Sequence, residues 1–475
     1  MHATATRAAV TPVPWRETRF WIYTFVLLSY MATLMLQIVA TAQMLIAEVC
    51  ERGHYADCDS DTVSSKAAVW TLYGGLASSL TGVGVSGTVG VLSDKFGRRW
   101  VVVLPLVGLT ANTLTLALFK AYSWPLWTLV AISGGTGLFG GSPTMFMAIY
   151  TAVADIVPEV ERSKKFGYTE VSLYLGVMAG TSVSGILIEH FDYKTLFVAM
   201  TVAGAALTLI AAAMPETLAP SQRVETVSWA KANVFGALGV MTRPTRLGPW
   251  PVLAGLGLAF LLSYGAIVAF GSIVILYSKV KLHWTPRELG FFLGSQWIIR
   301  AACVSILSPL LLHTQNVRRI TLFSVIGLCM QAGSMLTYAL APDTGIMYVG
   351  SAIGGLSAVA FPAIRSLFSL AVSAKEQGVA LAALSAAETV ANILLPAFAS
   401  GFYSATDSSC LPCTLYVLVG LLLAGAGCAA VALRFLSPVL ELTLDTPDDM
   451  DNVSSAQVES RPLLAPVAVP EPLAP

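Results

Sequence analysis

The sequence predicts an all-α membrane protein, with twelve transmembrane helices in two pseudo-symmetric six-helix bundles. Three observations predict it. Of 475 residues, 56% are hydrophobic and only 11% are charged, against roughly 25% charged in soluble chains. Apolar stretches of the ~20 residues needed to cross a hydrocarbon core recur along the chain. They fall in two groups of six around a polar connection. This composition excludes soluble enzymes and disordered scaffolds, because too little polar surface exists to cover the apolar bulk in water. Lys+Arg and Asp+Glu both number 27, so there is no basic field for a phosphate backbone and no nucleic-acid partner is expected. The bilayer is the solvent.

The first group of stretches lies near 20–48, 67–91, 100–120, 126–154, 166–189 and 193–214. The second lies near 251–278, 288–312, 320–341, 345–372, 379–403 and 412–436. The organisation that follows is an N-terminal segment (1–18), a first bundle (19–214), a linker (215–250), a second bundle (251–436) and a tail (437–475). The first stretch follows Pro14-Trp15-Arg16 and outruns a signal-peptide core, so it reads as a retained helix. With a cytoplasmic N-terminus, inner segments hold 18 Lys and Arg and outer ones 7, leaving Arg300 and Arg365 inside spans. That asymmetry predicts that both termini face the cytoplasm.

The linker stretch 228–243 reads either as an amphipathic helix on the inner surface or as unstructured connection. The tail, rich in Pro, Asp and Val, predicts disorder. Within it Glu459, Leu463 and Leu464 fit an acidic dileucine signal for a sorting adaptor, and Asn452-Val-Ser is a glycosylation sequon on the cytoplasmic side, hence silent.

Of the seven cysteines, Cys50 and Cys58 fall in the first outer loop, and Cys410 and Cys413 in the last. Each pair is either a local disulfide or two free thiols, since spacing does not fix geometry. Cys303, Cys329 and Cys428 lie in spans as small apolar fillers. No metal-ligand spacing and no nucleotide-binding motif occurs, so neither a metal nor another cofactor is expected.

Between the second and third spans the chain reads GVLSDKFGRR, from Gly90 to Arg99. It resembles the signature of the major facilitator superfamily, G-x-L-x-D-[R/K]-x-G-R-[R/K], at every specified position. The resemblance implies a fold of parallel repeats, transport by alternating access, and a cytoplasmic gate. Gly90 would let helix 2 approach a neighbour closely, and Gly97 would permit a tight turn. Asp94 would face the positive end of helix 11. Arg98 would pair with an acid at the end of helix 4, for which Asp155 is the candidate, beside Arg99, Glu161 and Arg162. Before helix 9, LLLHTQNVRR aligns with the same motif, placing Arg318 and Arg319 on Arg98 and Arg99, with Thr314 in place of the acid.

Charges inside spans are costly and usually face a cavity or a partner. Four stand out: Glu170 in helix 5, Arg300 in helix 8, Arg365 in helix 10 and Glu388 in helix 11. Glu388 lies about ten residues into its span, near mid-membrane. Arg365 follows Pro362, a residue able to kink the helix. Glu170 starts only about four residues into its apolar stretch, so it belongs either to the cavity or to the gate. A buried carboxylate suits proton coupling, and a buried arginine suits a carboxylate substrate.

A narrower resemblance joins WTLY at 70–73 with Pro362, Ile364, Arg365 and Glu376-Gln377-Gly378. These blocks are similar to the proton-coupled folate transporter and its relatives, which implies that Arg365 supports proton and substrate binding. That family's helix 5 glutamate would fall on Ser172, its helix 4 arginine has no counterpart, and Tyr264 is nearest to its helix 7 histidine. The drug-antiporter pattern is also incomplete, since GVMAGTSVSG (176–185) carries Thr181 where a proline belongs. The sequence therefore predicts a monomeric secondary transporter, not an enzyme, moving a small organic solute with protons. A proton-driven exporter and a receptor on the same scaffold are the alternatives.

Overall fold

The computed structural model describes residues 14–56, 58, 61–218, 223, 239–242, 245, 249–282, 284, 286–311, 316–372, 377–405 and 413–435. Cys410, Asn452, Thr314, Glu376, the dileucine residues Glu459, Leu463 and Leu464, and most of 228–243 lie outside them, though Gly239–Thr242 forms a 3-10 turn. The first half is α1 (Pro14–Arg52), α2 (Asp61–Phe96), α3 (Arg98–Tyr122), α4 (Trp127–Gly137), α5 (Gly141–Ile156), α6 (Glu159–His190) and α7 (Tyr193–Ala213). The second is α8 (Trp250–Leu282), α9 (Pro286–Leu311), α10 (Val317–Leu340), α11 (Thr344–Leu356), α12 (Ala360–Ala371), α13 (Gln377–Ala405) and α14 (Cys413–Arg434).

These make twelve spans, because the fourth and tenth are each broken. Ten segments are individually long and apolar enough to cross a membrane. The others are α2, rich in Gly, Ser and Thr, and the α4–α5 pair. That pair breaks at Gly140 and Gly141, whose φ values of 78° and 55° few other residues adopt. The tenth span breaks at the 3-10 turn Ser357–Val359 and not at Pro362. Pro362 sits in the first turn of α12, where its missing N–H is not needed.

The halves repeat one another contact for contact. In the first, α1 packs on α6, α3 on α7 and α2 on α4; in the second, α8 packs on α13, α10 on α14 and α9 on α11. The two bundles meet along α2–α13 and α6–α9, which exchange places under the same repeat. Close packing is local chemistry. Gly176 and Gly180 of α6 face the backbone carbonyls of Leu28 and Ala32 on α1, so the glycine pattern of 176–185 serves helix contact. Large apolar side chains such as Leu80, Val202 and Leu209 remain exposed, as lipid-facing positions should.

Helix ends run past the apolar stretches. α1 starts at Pro14 and α6 at Glu159, because their charged first turns are held by protein. The Lys165 ammonium donates to both Glu17 carboxylate oxygens at 2.8 and 2.7 Å. Residues 215–218 fold back onto the first bundle, with Leu218 buried. Cys50 and Cys58 are joined by a disulfide across Cα atoms 5.3 Å apart.

Candidate functional site: two arginine clusters between the bundles

The end of the molecule carrying the Gly90–Arg99 loop is where the bundles press together. A Cβ on Gly90 would meet the Cβ of Ala382 at 2.5 Å, so glycine is what lets α2 lie against α13. Asp94 Oδ1 takes the backbone N–H of Gly378, in the first turn of α13, at 3.1 Å. The same oxygen takes Arg98 Nη1 at 2.5 Å, while Arg98 Nε donates to Asp155 at 2.9 Å. Arg98 is fully buried. Two further contacts cross the seam: Ser163 with Ser366 at 2.6 Å, and the Ser308 hydroxyl to the Lys164 carbonyl at 3.1 Å.

The other residues expected here stand differently. Arg162 donates to the carbonyl of Ala154 at 3.0 Å, near the C-terminus of α5, and its near acid is Glu159 rather than Glu161. Arg99 lays its guanidinium over Trp100 and pairs with no acid among the described residues. Arg318 and Arg319, the echo of Arg98 and Arg99, are exposed at the start of α10.

One residue of this cluster escapes hydropathy altogether. Glu216, assigned by sequence to the linker, accepts the backbone N–H groups of Arg98 at 2.8 Å and Arg99 at 3.3 Å. It thereby places a carboxylate on the positive N-terminus of α3. It also explains Gly97, which has φ of 107° and whose missing Cβ would run into the Glu216 carboxylate. The available signal is an acid directly after the sixth apolar stretch, at Pro215-Glu216-Thr217.

Deeper in the membrane, three of the four intramembrane charges converge. Arg365 on α12 forms an ion pair with Glu170 on α6 through Nη1, and with Glu388 on α13 through Nη2 at 2.5 Å. Tyr150 of α5 accepts from Nη1 at 3.2 Å and lies under the guanidinium, 4.5 Å from ring centre to Cζ. Phe146 and Phe260 close the remaining sides at 5.4 Å. All three charged residues are at most 4% exposed. Glu388 Oε2 is buried with no hydrogen-bond partner. Both bundles contribute: α5 and α6 from the first, α12 and α13 from the second.

Glu170 is therefore interior and not part of the gate, because α6 begins well before the apolar stretch. Ser172, the position the folate-transporter count selects, donates to the Tyr168 carbonyl of its own helix. Tyr264 receives the Asn392 amide at 3.4 Å, beside Glu388. Arg300 does not join the cluster. Its Nη2 donates to Gln331 Oε1 at 3.0 Å, and it forms no ion pair among the described residues.

Two pseudo-symmetric helical bundles, with apolar spans outside and charges buried between them, define a multi-pass membrane protein. The chain belongs to the Major Facilitator Superfamily, whose family model matches residues 22–341. It is similar to the human Hippocampus abundant transcript 1 protein, 23% identical over 65% of this chain and 60% of that one. The match thus spans about 60% of that relative's length. It is also similar to the proton-coupled folate transporter of Bos taurus, 26% identical over 74% of this chain and 76% of that one. Among solved structures, the human organic anion transporter MFSD10 superposes with a TM-score of 0.70 at 15% identity, covering 89% of this chain and 99% of that one.

Proposed function

We propose that the protein is a proton-coupled symporter of a small organic solute, working by alternating access, with both termini in the cytoplasm. One observation carries this reading: a single buried guanidinium holds two buried carboxylates, one from each bundle. Two negative charges against one leave the cluster one charge short of neutral. In a low-dielectric interior that imbalance is expensive. A proton on Glu388, at the oxygen that has no partner, removes it. Protonation also ends the charge attraction between Arg365 and Glu388 within the second bundle, leaving Arg365 paired with Glu170 across the seam. The similarity to a proton-coupled folate transporter supports the same coupling ion.

The test is uptake by purified protein in proteoliposomes under an imposed inward proton gradient. Gradient-dependent uptake that disappears in Glu388→Gln is expected. Uptake without the gradient refutes symport, and gradient-driven efflux instead identifies an exporter.

A further inference from the structure

Arg300 is the one intramembrane charge that the central cluster leaves unused. It is 9% exposed, and its guanidinium donates to the neutral amide of Gln331. An arginine can only donate, so the Gln331 atom facing it must be the oxygen. That oxygen also takes the Ser357 hydroxyl at 2.5 Å. Gln331 Nε2 is consequently turned away, buried and without a partner. A cation with no counter-ion among the described residues thus sits beside an unpaired amide donor. Both are set in the break of the tenth span, where the absence of a side chain on Gly354 leaves room near Arg300. Buried unpaired donors and charges each cost free energy that an arriving acceptor recovers. Trp297, one turn before Arg300, packs its ring 5.8 Å from that of Tyr174 across the bundle seam. Tyr174 lies within electrostatic reach of both Arg300 and Arg365, so one aromatic ring stands between the two sites.

We infer that Arg300 and Gln331 form the anion seat of this transporter, taking the carboxylate of an organic monocarboxylate whose apolar part lies against Trp297 and Tyr174. The inference rests on the symport reading above and deepens it, because it fixes the charge count. Empty, the central cluster carries one surplus negative charge and Arg300 one surplus positive charge. With one proton on Glu388 and one carboxylate on Arg300, both places are locally neutral. With only one of the two bound, the two sites together hold a net charge. The two balanced states are the ones that cross, so transport is one proton per carboxylate and electroneutral.

The experiment measures thermal unfolding of the detergent-purified full chain with acetate, benzoate and nicotinate, each against its neutral amide. Stabilisation by at least one carboxylate and not by its amide is expected. In Gln331→Glu a built-in carboxylate fills the seat. This variant should melt no lower than wild type yet bind the carboxylate at least about tenfold more weakly. Arg300→Gln should lose binding as well. Equal stabilisation by acid and amide, no stabilisation by any acid, or wild-type affinity in Gln331→Glu overturns the inference. Binding needs no gradient, so it separates the two readings. Carboxylate binding without gradient-driven uptake sinks the symport reading and leaves the seat standing. In proteoliposomes, uptake of the bound carboxylate should not change with a valinomycin-set potassium potential; a marked dependence refutes the one-to-one count.

Discussion

The gate and the central cluster contain the same unit, one buried arginine holding two carboxylates, yet the surroundings differ. At the gate, Arg98 binds Asp94 and Asp155. The surplus negative charge there meets the N-terminus of α13 through Gly378, and a second cation, Arg162, lies within electrostatic reach of Asp155. At the centre, Arg365 binds Glu170 and Glu388, and the other contacts are a tyrosine hydroxyl and aromatic faces. Each cluster has a carboxylate oxygen without a partner, on Asp94 and on Glu388. A second cation acts directly on a carboxylate of the first cluster, while at the centre the further cation, Arg300, faces Gln331 and Tyr174 rather than either glutamate. On the function proposed above, the first arrangement suits a latch and the second suits a mobile proton.

The largest expected effect separates the two arginines. Arg365→Met strands two carboxylates in the membrane and should destabilise the protein by about 3–5 kcal/mol. Arg98→Met should cost clearly less, because Arg162 and the α13 N-terminus remain. Thermal unfolding of both variants in detergent gives the comparison, and adding Glu388→Gln to Arg365→Met should restore part of the loss. Equal losses at the two sites would erase the distinction drawn here.

Next comes coupling. Glu388→Gln leaves a balanced Arg365–Glu170 pair, so the melting temperature should hold or rise while gradient-driven uptake falls at least about tenfold. Asp94→Asn removes a latch charge. It should slow transport yet keep the dependence on the proton gradient. If Asp94→Asn abolishes that dependence and Glu388→Gln does not, the roles of the two clusters are reversed.

The twelve spans, the Gly90–Arg99 loop and the interior position of Arg365 and Glu388 were legible because hydropathy and charge are local properties of the chain. What was not legible depends on who covers a polar residue. Glu170 read as either cavity or gate since the apolar stretch begins at Phe166, but Lys165 and its neighbours are buried against Glu17 and the second bundle, so the helix starts at Glu159. Glu216 read as linker because a lone acid after a span looks solvated. Only the fold shows that the start of α3 closes over it. Arg300 was visible as a charge, while its lack of a counter-ion was a fact about α10 and α11.

A smaller effect tests the gate backbone. Gly97→Ala must hold a positive φ and push Cβ into the Glu216 carboxylate, at a cost of about 1–3 kcal/mol. Glu216→Ala would remove the collision but not the strain, so in that background the Gly97→Ala penalty should shrink without vanishing. An unchanged penalty would mean that φ alone demands the glycine.

The smallest effect comes from a carboxylate doing Glu216's task in water. Asp192 caps α7, accepting the Thr195 N–H at 3.1 Å. The Thr195 hydrogen bonds hold its carboxyl below the usual carboxylate range. A depressed folded value means that the ionised cap stabilises above the unfolded carboxylate range, and this contribution is lost as pH falls through the folded value. Asp192→Asn keeps an N-cap acceptor, so at neutral pH it should melt within a degree or so of wild type, and it should lose less stability on acidification. Glu216→Gln, at a helix end buried by its neighbours, should cost more at neutral pH than Asp192→Asn. The same cap is worth more where water cannot replace it. If the two variants melt alike, the burial of the gate adds nothing to its charge–dipole contact, and the latch must rest on the Arg98 pairs alone.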